Sequence, residues 1–186
     1  MNILRLIIMA VCLTANAWAG DKAPEWQVYF SPKGGCTEAV VNAVARAHNT
    51  VLMQAYSFTS APIAKALVDA ENRGVKVQAI LDKSQLTERY TAATFLLHAG
   101  IPTYIDAQHA IAHNKVMVID GHVVLTGSFN FTTAAEEHNA ENLLVIDDKA
   151  LAEKYTKNWS NHLEHSDKYE GPLNSDTHET THRKRK

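Results

Sequence analysis

The chain reads as an α/β domain, a mixed β-sheet with helices on both faces. Three observations predict it. Short β-branched and apolar runs alternate with longer segments whose apolar residues recur at helical spacing, the pattern of parallel strands joined by helices. Past the middle this alternation breaks: residues 116–119 and 122–125 flank Asp120-Gly121, the strongest short-range hairpin signal. Both faces of that hairpin are apolar, Met117 with Val124 on one and Val118 with Leu125 on the other, so it is expected to be a central, doubly covered strand pair.

Each element follows from local chemistry. Residues 26–30 alternate as a first strand, and Pro32, Gly34 and Gly35 make the next stretch a loop. Thr37 can cap a helix to about His48, with Ala39, Val40, Ala43, Val44 and Ala47 at helical spacing. Residues 51–56 form a short buried strand. Ser60 precedes a helix with Pro62 in its first turn, ending at Gly74. Residues 75–81 are a strand, 84–98 a helix closed by Gly100, and 101–105 another strand. After the hairpin come a strand over 142–146 and a helix over 149–162. No internal repeat is present.

Residues 1–19 carry Arg5, an apolar stretch from Leu6 to Leu13, and Ala17-Trp18-Ala19 before Gly20. That is the pattern of a secretory signal peptide, too short to span a membrane, so a periplasmic or secreted protein without stable membrane association is expected. Cys12 lies inside the apolar stretch, which leaves Cys36 as the single cysteine after processing. No intramolecular disulfide can then form, and Cys36 is either buried or links two chains. The domain is expected over residues 20–165. Residues 166–186 are polar, end in Arg183-Lys184-Arg185-Lys186, and read as a disordered tail. The formal net charge of −2 gives no general footprint for nucleic acid, so attraction for a polyanion must be local.

The densest chemistry lies between His113 and Asn130. His113 and Lys115 are followed after four residues by Asp120, and after six more by Gly127-Ser128-x-Asn130. If Asp120 and Gly121 form a two-residue turn, Ile119 pairs with His122, His113 stands opposite Ser128, and Lys115 opposite Thr126. His113, Lys115, Ser128 and Asn130 then project from one face at the open end of the hairpin. Asp120 sits at the far end, where its role is structural. Histidine, a fixed cation and neutral donors are what phosphodiester cleavage needs when no metal is used.

This pattern resembles the H-x-K-x4-D-x6-G-S-x-N signature of the phospholipase D superfamily, and all six defining residues match: His113, Lys115, Asp120, Gly127, Ser128 and Asn130. The resemblance covers the chain from about Trp26 to His165 and implies a mixed sheet covered by helices. It extends to Glu141, which by resemblance orients the histidine, while Gly127 is structural. Large members contain two facing motif copies, and this chain has one. In size and leader it is similar to small bacterial endonucleases of the superfamily, which complete the site by homodimerisation.

The chemistry makes the same demand. Imidazole, with an unperturbed pKa of ~6.5, can act as nucleophile or proton carrier. One histidine cannot attack phosphorus and protonate the leaving oxygen opposite, whereas two related by a twofold axis can. Lys115 supplies charge to a non-bridging oxygen, Asn130 an amide donor, and Ser128 a hydroxyl for the phosphate or for His113. The expected activity is metal-independent endonucleolytic hydrolysis of DNA, with RNA also open, through a phosphohistidine, without cofactor or metal. Three alternatives stand beside it. A lipid headgroup hydrolase or transphosphatidylase would need an apolar approach surface, for which only Tyr56-Ser57-Phe58 and Phe129/Phe131 offer material. A metal-dependent hydrolase is suggested by ten histidines and His109-x-x-x-His113, but no H-E-x-x-H or paired-cysteine site exists, so most histidines are expected at the surface. A silent nucleic-acid-binding module would have no use for the acid–base set.

Overall fold

The computed structural model describes residues 24–87 and 91–171. The expected signal peptide, the residues after 171 and the basic end of the tail lie outside this range. Eight strands form one sheet: β1 (Glu25–Ser31), β2 (Thr50–Ala55), β3 (Lys76–Asp82), β4 (Thr103–Asp106), β5 (Lys115–Ile119), β6 (Val123–Gly127), β7 (Glu141–Asp147) and β8 (Asp167–Lys168). Their order across the sheet is β1-β7-β6-β5-β2-β3-β4-β8. The β2–β3 and β3–β4 pairs are parallel and the others antiparallel. Helices α1 (Cys36–Ala45), α2 (Ala61–Asn72) and α3 (Ala93–His98) supply the crossovers, and α4 (Thr133–Glu137) and α5 (Lys149–Leu163) follow the hairpin. The predicted mixed sheet is the observed one.

The sheet is apolar on both faces. Val51, Met53, Val77, Ala79, Met117 and Leu125 join the large core formed with α1, α2 and α3. Leu52, Val116, Val118 and Val124 point the other way, against Leu151, Ala152 and Tyr155 of α5. The Asp148 side chain caps α5 by accepting from Leu151 N at 3.0 Å, and Trp159 of α5 donates its indole N–H to the Met53 carbonyl at 2.9 Å. Burying both faces is what allows near-continuous apolar strands such as β5.

Several local expectations need correction. Helix α1 starts one residue before Thr37, and its free N–H groups are met from elsewhere in the chain: Gly35 N and Thr37 N donate to the Glu136 carboxylate at 3.1 and 2.7 Å. Among the described residues, the helix expected over 84–98 is two pieces, a 3-10 turn (Lys83–Leu86) capped by Asp82 and the separate α3. Helix α4 was not expected. The chain also stays packed beyond residue 165: β8 pairs with β4, Tyr169 is buried, and its hydroxyl hydrogen-bonds Thr94 at 2.8 Å. A polar stretch reads as solvated even when one aromatic anchors it.

The hairpin register is displaced by one residue. His122 N donates to Ile119 O at 3.1 Å, and Asp120 and Gly121 take the left-handed φ values of 51° and 70° that such a turn needs. Yet Ile119 pairs with Val123, not His122. The His122 carbonyl instead accepts from Asp148 N at 2.9 Å, and its ring meets Asp147 at 3.1 Å, so β7 draws His122 out of the ladder. Met117 therefore lies opposite Leu125 and Val118 opposite Val124, exchanging the expected face partners.

Candidate active site

Lys115 begins β5, and the residues before it carry His113. The β2–β5 pairing continues one step past the strand, where Tyr56 N donates to Asn114 O at 2.9 Å. That step places the Tyr56 ring against the His113 ring, centroids 4.7 Å apart and planes inclined by 52°. His113 is exposed, and among the described residues its imidazole nitrogens accept and donate no hydrogen bond. Lys115 is buried; its Nζ donates to the His113 carbonyl at 2.8 Å and lies 5.0 Å from the Tyr56 ring centroid. Burial pushes the ammonium pKa down, and the Glu141 carboxylate acts in the opposite sense. Among the described residues the cation thus keeps two unspent N–H groups in a partly dry setting. The sequence places Tyr56 at the end of a short strand and as apolar loop material, but not beside His113, because that contact depends on β2 lying beside β5, a pairing of segments far apart in sequence.

The Gly-Ser-x-Asn segment is shaped by a bulge. Gly127 pairs with Leu143, and then both Ser128 N and Phe129 N donate to the single carbonyl of Asn142, at 3.1 and 3.2 Å. A Cβ at Gly127, whose φ is 151°, would be driven into that carbonyl oxygen, so only glycine fits. Ser128 Oγ accepts from Asn142 N at 3.1 Å and from Asn142 Nδ2 at 3.4 Å. Both lone pairs are used, which leaves the Ser128 O–H free to donate. Phe129 is fully buried and anchors the segment, while the Asn130 amide oxygen is buried and has no hydrogen-bond partner among the described residues. Such an orphan acceptor costs about 1–3 kcal/mol and can be completed by a donor such as water, but not by a phosphate oxygen. Counting on from Val116↔Thr126 sets Lys115 level with Gly127, so His113 does not face Ser128 across a regular ladder. The bulge, not strand alternation, aims Ser128 and Asn130.

With this geometry, residues 40–163 match the family described as cardiolipin synthase, PLD-like domain. The chain belongs to the phospholipase D superfamily. It is 47% identical over 132 residues to a phospholipase D of Rickettsia felis, a stretch covering 71% of this chain and 66% of that relative. A mitochondrial cardiolipin hydrolase of Xenopus tropicalis is 33% identical over 110 residues, 59% of this chain and 52% of the relative. Among solved structures, the phospholipase D family member Nuc of Salmonella typhimurium superposes with TM-score 0.76 at 39% identity, over 80% of this chain and 99% of Nuc. NucT from Helicobacter pylori gives TM-score 0.73 at 25% identity, over 78% and 99%. The chain spans just under two thirds of the length of the Rickettsia relatives.

One of the superfamily residues, Glu141, stands differently from the sequence expectation, and another, Asp120, stands where it was expected. Glu141 does not hydrogen-bond His113 within the chain; it accepts from Asn139 Nδ2 at 3.2 Å and acts on Lys115 through its charge. Asp120 lies at the far end, where its carboxylate accepts from the N–H groups of His48, Asn49 and Thr50 at 2.8, 2.7 and 2.8 Å. These bonds tie the start of β2 to the hairpin turn. Cys36 is fully buried, which removes it as a link between chains; burial, then Glu136, pushes its thiol up to about 11.

One cluster went unread in the sequence of this superfamily member. His162 and His165 are not surface residues, with side chains 14% and 23% exposed, and with His109 they surround the fully buried Asp106. Burial would raise the Asp106 carboxyl pKa, but hydrogen bonds from His162, His109 and His165 more than offset it and hold it well below the usual range. The i, i+3 spacings of Asp106/His109 and His162/His165 were the available signal, but they lie far apart along the chain.

Proposed function

We propose that this protein is a metal-independent phosphodiesterase, an endonuclease that hydrolyses DNA through a phosphohistidine at a site shared by two subunits. The observation that carries this reading is the state of His113. It is exposed, and among the described residues its imidazole nitrogens are unbonded and it stands beside a buried cation with two N–H groups free. Ser128 and Asn130 add neutral donors, so charge and orientation come from the protein itself.

In the first step an imidazole nitrogen of one His113 forms a bond to phosphorus. The P–O bond to the leaving oxygen breaks, and the partner subunit's His113, as imidazolium, gives that oxygen its proton. Water then attacks phosphorus, the partner subunit's His113 takes a proton from it, and the P–N bond breaks to release a phosphomonoester and free imidazole. Lys115 and Asn130 bind the non-bridging oxygens throughout. A surface for the second copy is available on edge strand β1, where Trp26, Val28 and Phe30 share one face and Trp26 and Phe30 are 66% and 64% exposed. Such an assembly, in the periplasm or outside the cell, accords with the leader-like residues 1–19.

A second reading, hydrolysis of lipid headgroups, is supported by the names of the Rickettsia and Xenopus relatives and by Ile111, exposed two residues before His113. Against it, Phe58, Phe129 and Phe131 are fully buried and offer lipid no approach surface. The test is the initial rate on plasmid DNA and on phosphatidylcholine vesicles, each with EDTA. DNA cleavage that persists in EDTA and exceeds vesicle hydrolysis is expected. Loss in EDTA that a divalent ion restores, in a chain whose Tm EDTA leaves unchanged, contradicts metal independence, and vesicle hydrolysis without DNA cleavage replaces the nuclease reading with the lipid one.

A further inference from the structure

Asp106 ends β4, His109 follows in the next loop, His162 lies in the last turn of α5, and His165 in the turn before β8. Their ligand atoms all lie within 4.8 Å of one another. Asp106 Oδ2 is approached by His162 Nδ1 at 2.7 Å, His109 Nδ1 at 3.0 Å and His165 Nε2 at 3.4 Å. The other oxygen, Oδ1, is engaged by Gln108 N and His109 Nδ1, both at 3.1 Å. A carboxylate oxygen offers two lone pairs, so three imidazoles oversubscribe Oδ2 as proton donors. The arrangement is better satisfied when the nitrogens are donors to a common cation and the carboxylate oxygen is a fourth ligand.

We infer that Asp106, His109, His162 and His165 form a structural zinc site. Tetrahedral zinc with bonds of about 2.0–2.1 Å to imidazole nitrogen and carboxylate oxygen sets its donors roughly 3.4 Å apart, within the spread of these atoms. Three neutral imidazoles and one carboxylate suit zinc and leave a net single positive charge, whereas calcium and magnesium prefer all-oxygen shells. Four protein ligands fill the tetrahedron, so no position stays open for water, which marks a bracing role separate from the chemistry at His113. The Gln108 N–H orients the carboxylate, and His109, 47% exposed, gives the ion an entry path. The site clamps four segments: the end of β4, the loop over residues 107–114, the C-terminal turn of α5 and the turn before β8. That loop leads into His113, and Lys83 Nζ and the Asp82 carboxylate hold it elsewhere, at His109 O (3.0 Å) and Ala112 N (2.7 Å).

The test uses full chain stripped of metal and dialysed against Zn²⁺, with uptake counted by elemental analysis, affinity read by calorimetry and Tm by calorimetric scanning. None of these readouts depends on a substrate, so they stand apart from the nuclease assay. One equivalent per chain and a higher Tm are expected, and Co²⁺ in its place should give the intense visible bands of a tetrahedral site. His162→Gln with His165→Gln should weaken zinc binding by about 100-fold or more and abolish the cobalt bands. If that pair fails to fold, His109→Gln, at the most exposed ligand, should weaken binding by at least about 10-fold. Failure of wild-type chain to take up zinc, or uptake undiminished in a folded variant, overturns the site; the second result places the ion on other histidines, such as His178 and His182.

Discussion

At the scale of single residues, Asp120 and His113 divide the motif between stability and chemistry. Burial raises the Asp120 carboxyl pKa, but the N–H groups of Thr50, His48 and Asn49 outweigh it and hold the pKa below its ordinary value. A depressed folded pKa contributes stability that is present above the unfolded value of ~3.9 and lost as pH falls through the folded one. Asp120→Ala is therefore expected to cost about 2–3 kcal/mol at pH 7, the worth of charge-assisted backbone bonds, with the Tm gap to wild type closing below about pH 4. A variant as stable as wild type but inactive would instead put Asp120 in the chemistry. His113→Ala, by contrast, should retain wild-type Tm and lose turnover, since the exposed ring holds nothing together but its contact with Tyr56. Cys36 makes a simpler statement: with its thiol pushed up to about 11, peptide mapping should find it unmodified by a thiol reagent at pH 8 in the folded protein and modified in denaturant.

At the scale of elements, the site is a product of one bulge, one displaced hairpin register and one non-local strand pair. Tyr56 is carried to His113 by the β2–β5 pairing, so Tyr56→Leu is expected to lower kcat by about 10-fold with a small effect on KM, because the imidazole loses its lateral support. Equal kcat in the variant removes Tyr56 from the site. The same elements show what sequence can convey. Strand–helix alternation and the Asp120-Gly121 turn were legible because both are local patterns. The register was not, since it is decided by Asp148 taking the His122 carbonyl, a contact that no local propensity encodes. Nor was the aim of Ser128, set when Asn142 accepts from two consecutive N–H groups. The residue types of the motif were readable, but their common orientation was not. The broken helix before α3, the Glu136 cap on α1 and the packed Tyr169 were hidden for the same reason: each depends on a partner distant in the chain.

At the scale of the whole molecule, one chain offers one motif, while the proposed reaction needs an attacking and a protonating imidazole together. The two His113 rings would titrate as a coupled pair, so a bell-shaped rate profile belongs to the pair and not to either ring. The uncovered apolar face of β1 gives the protomer a reason to associate, and replacing Trp26 and Phe30 with polar residues should shift it toward monomer and lower specific activity together. The most direct measurement mixes wild-type and His113→Ala chains, verifies exchange by native mass, and follows activity against composition. With random exchange and one shared site per dimer, activity per wild-type chain is expected to fall in proportion to the wild-type fraction. Constant activity per wild-type chain, with heterodimers demonstrably present, would mean that each protomer is catalytically complete and would contradict the shared site.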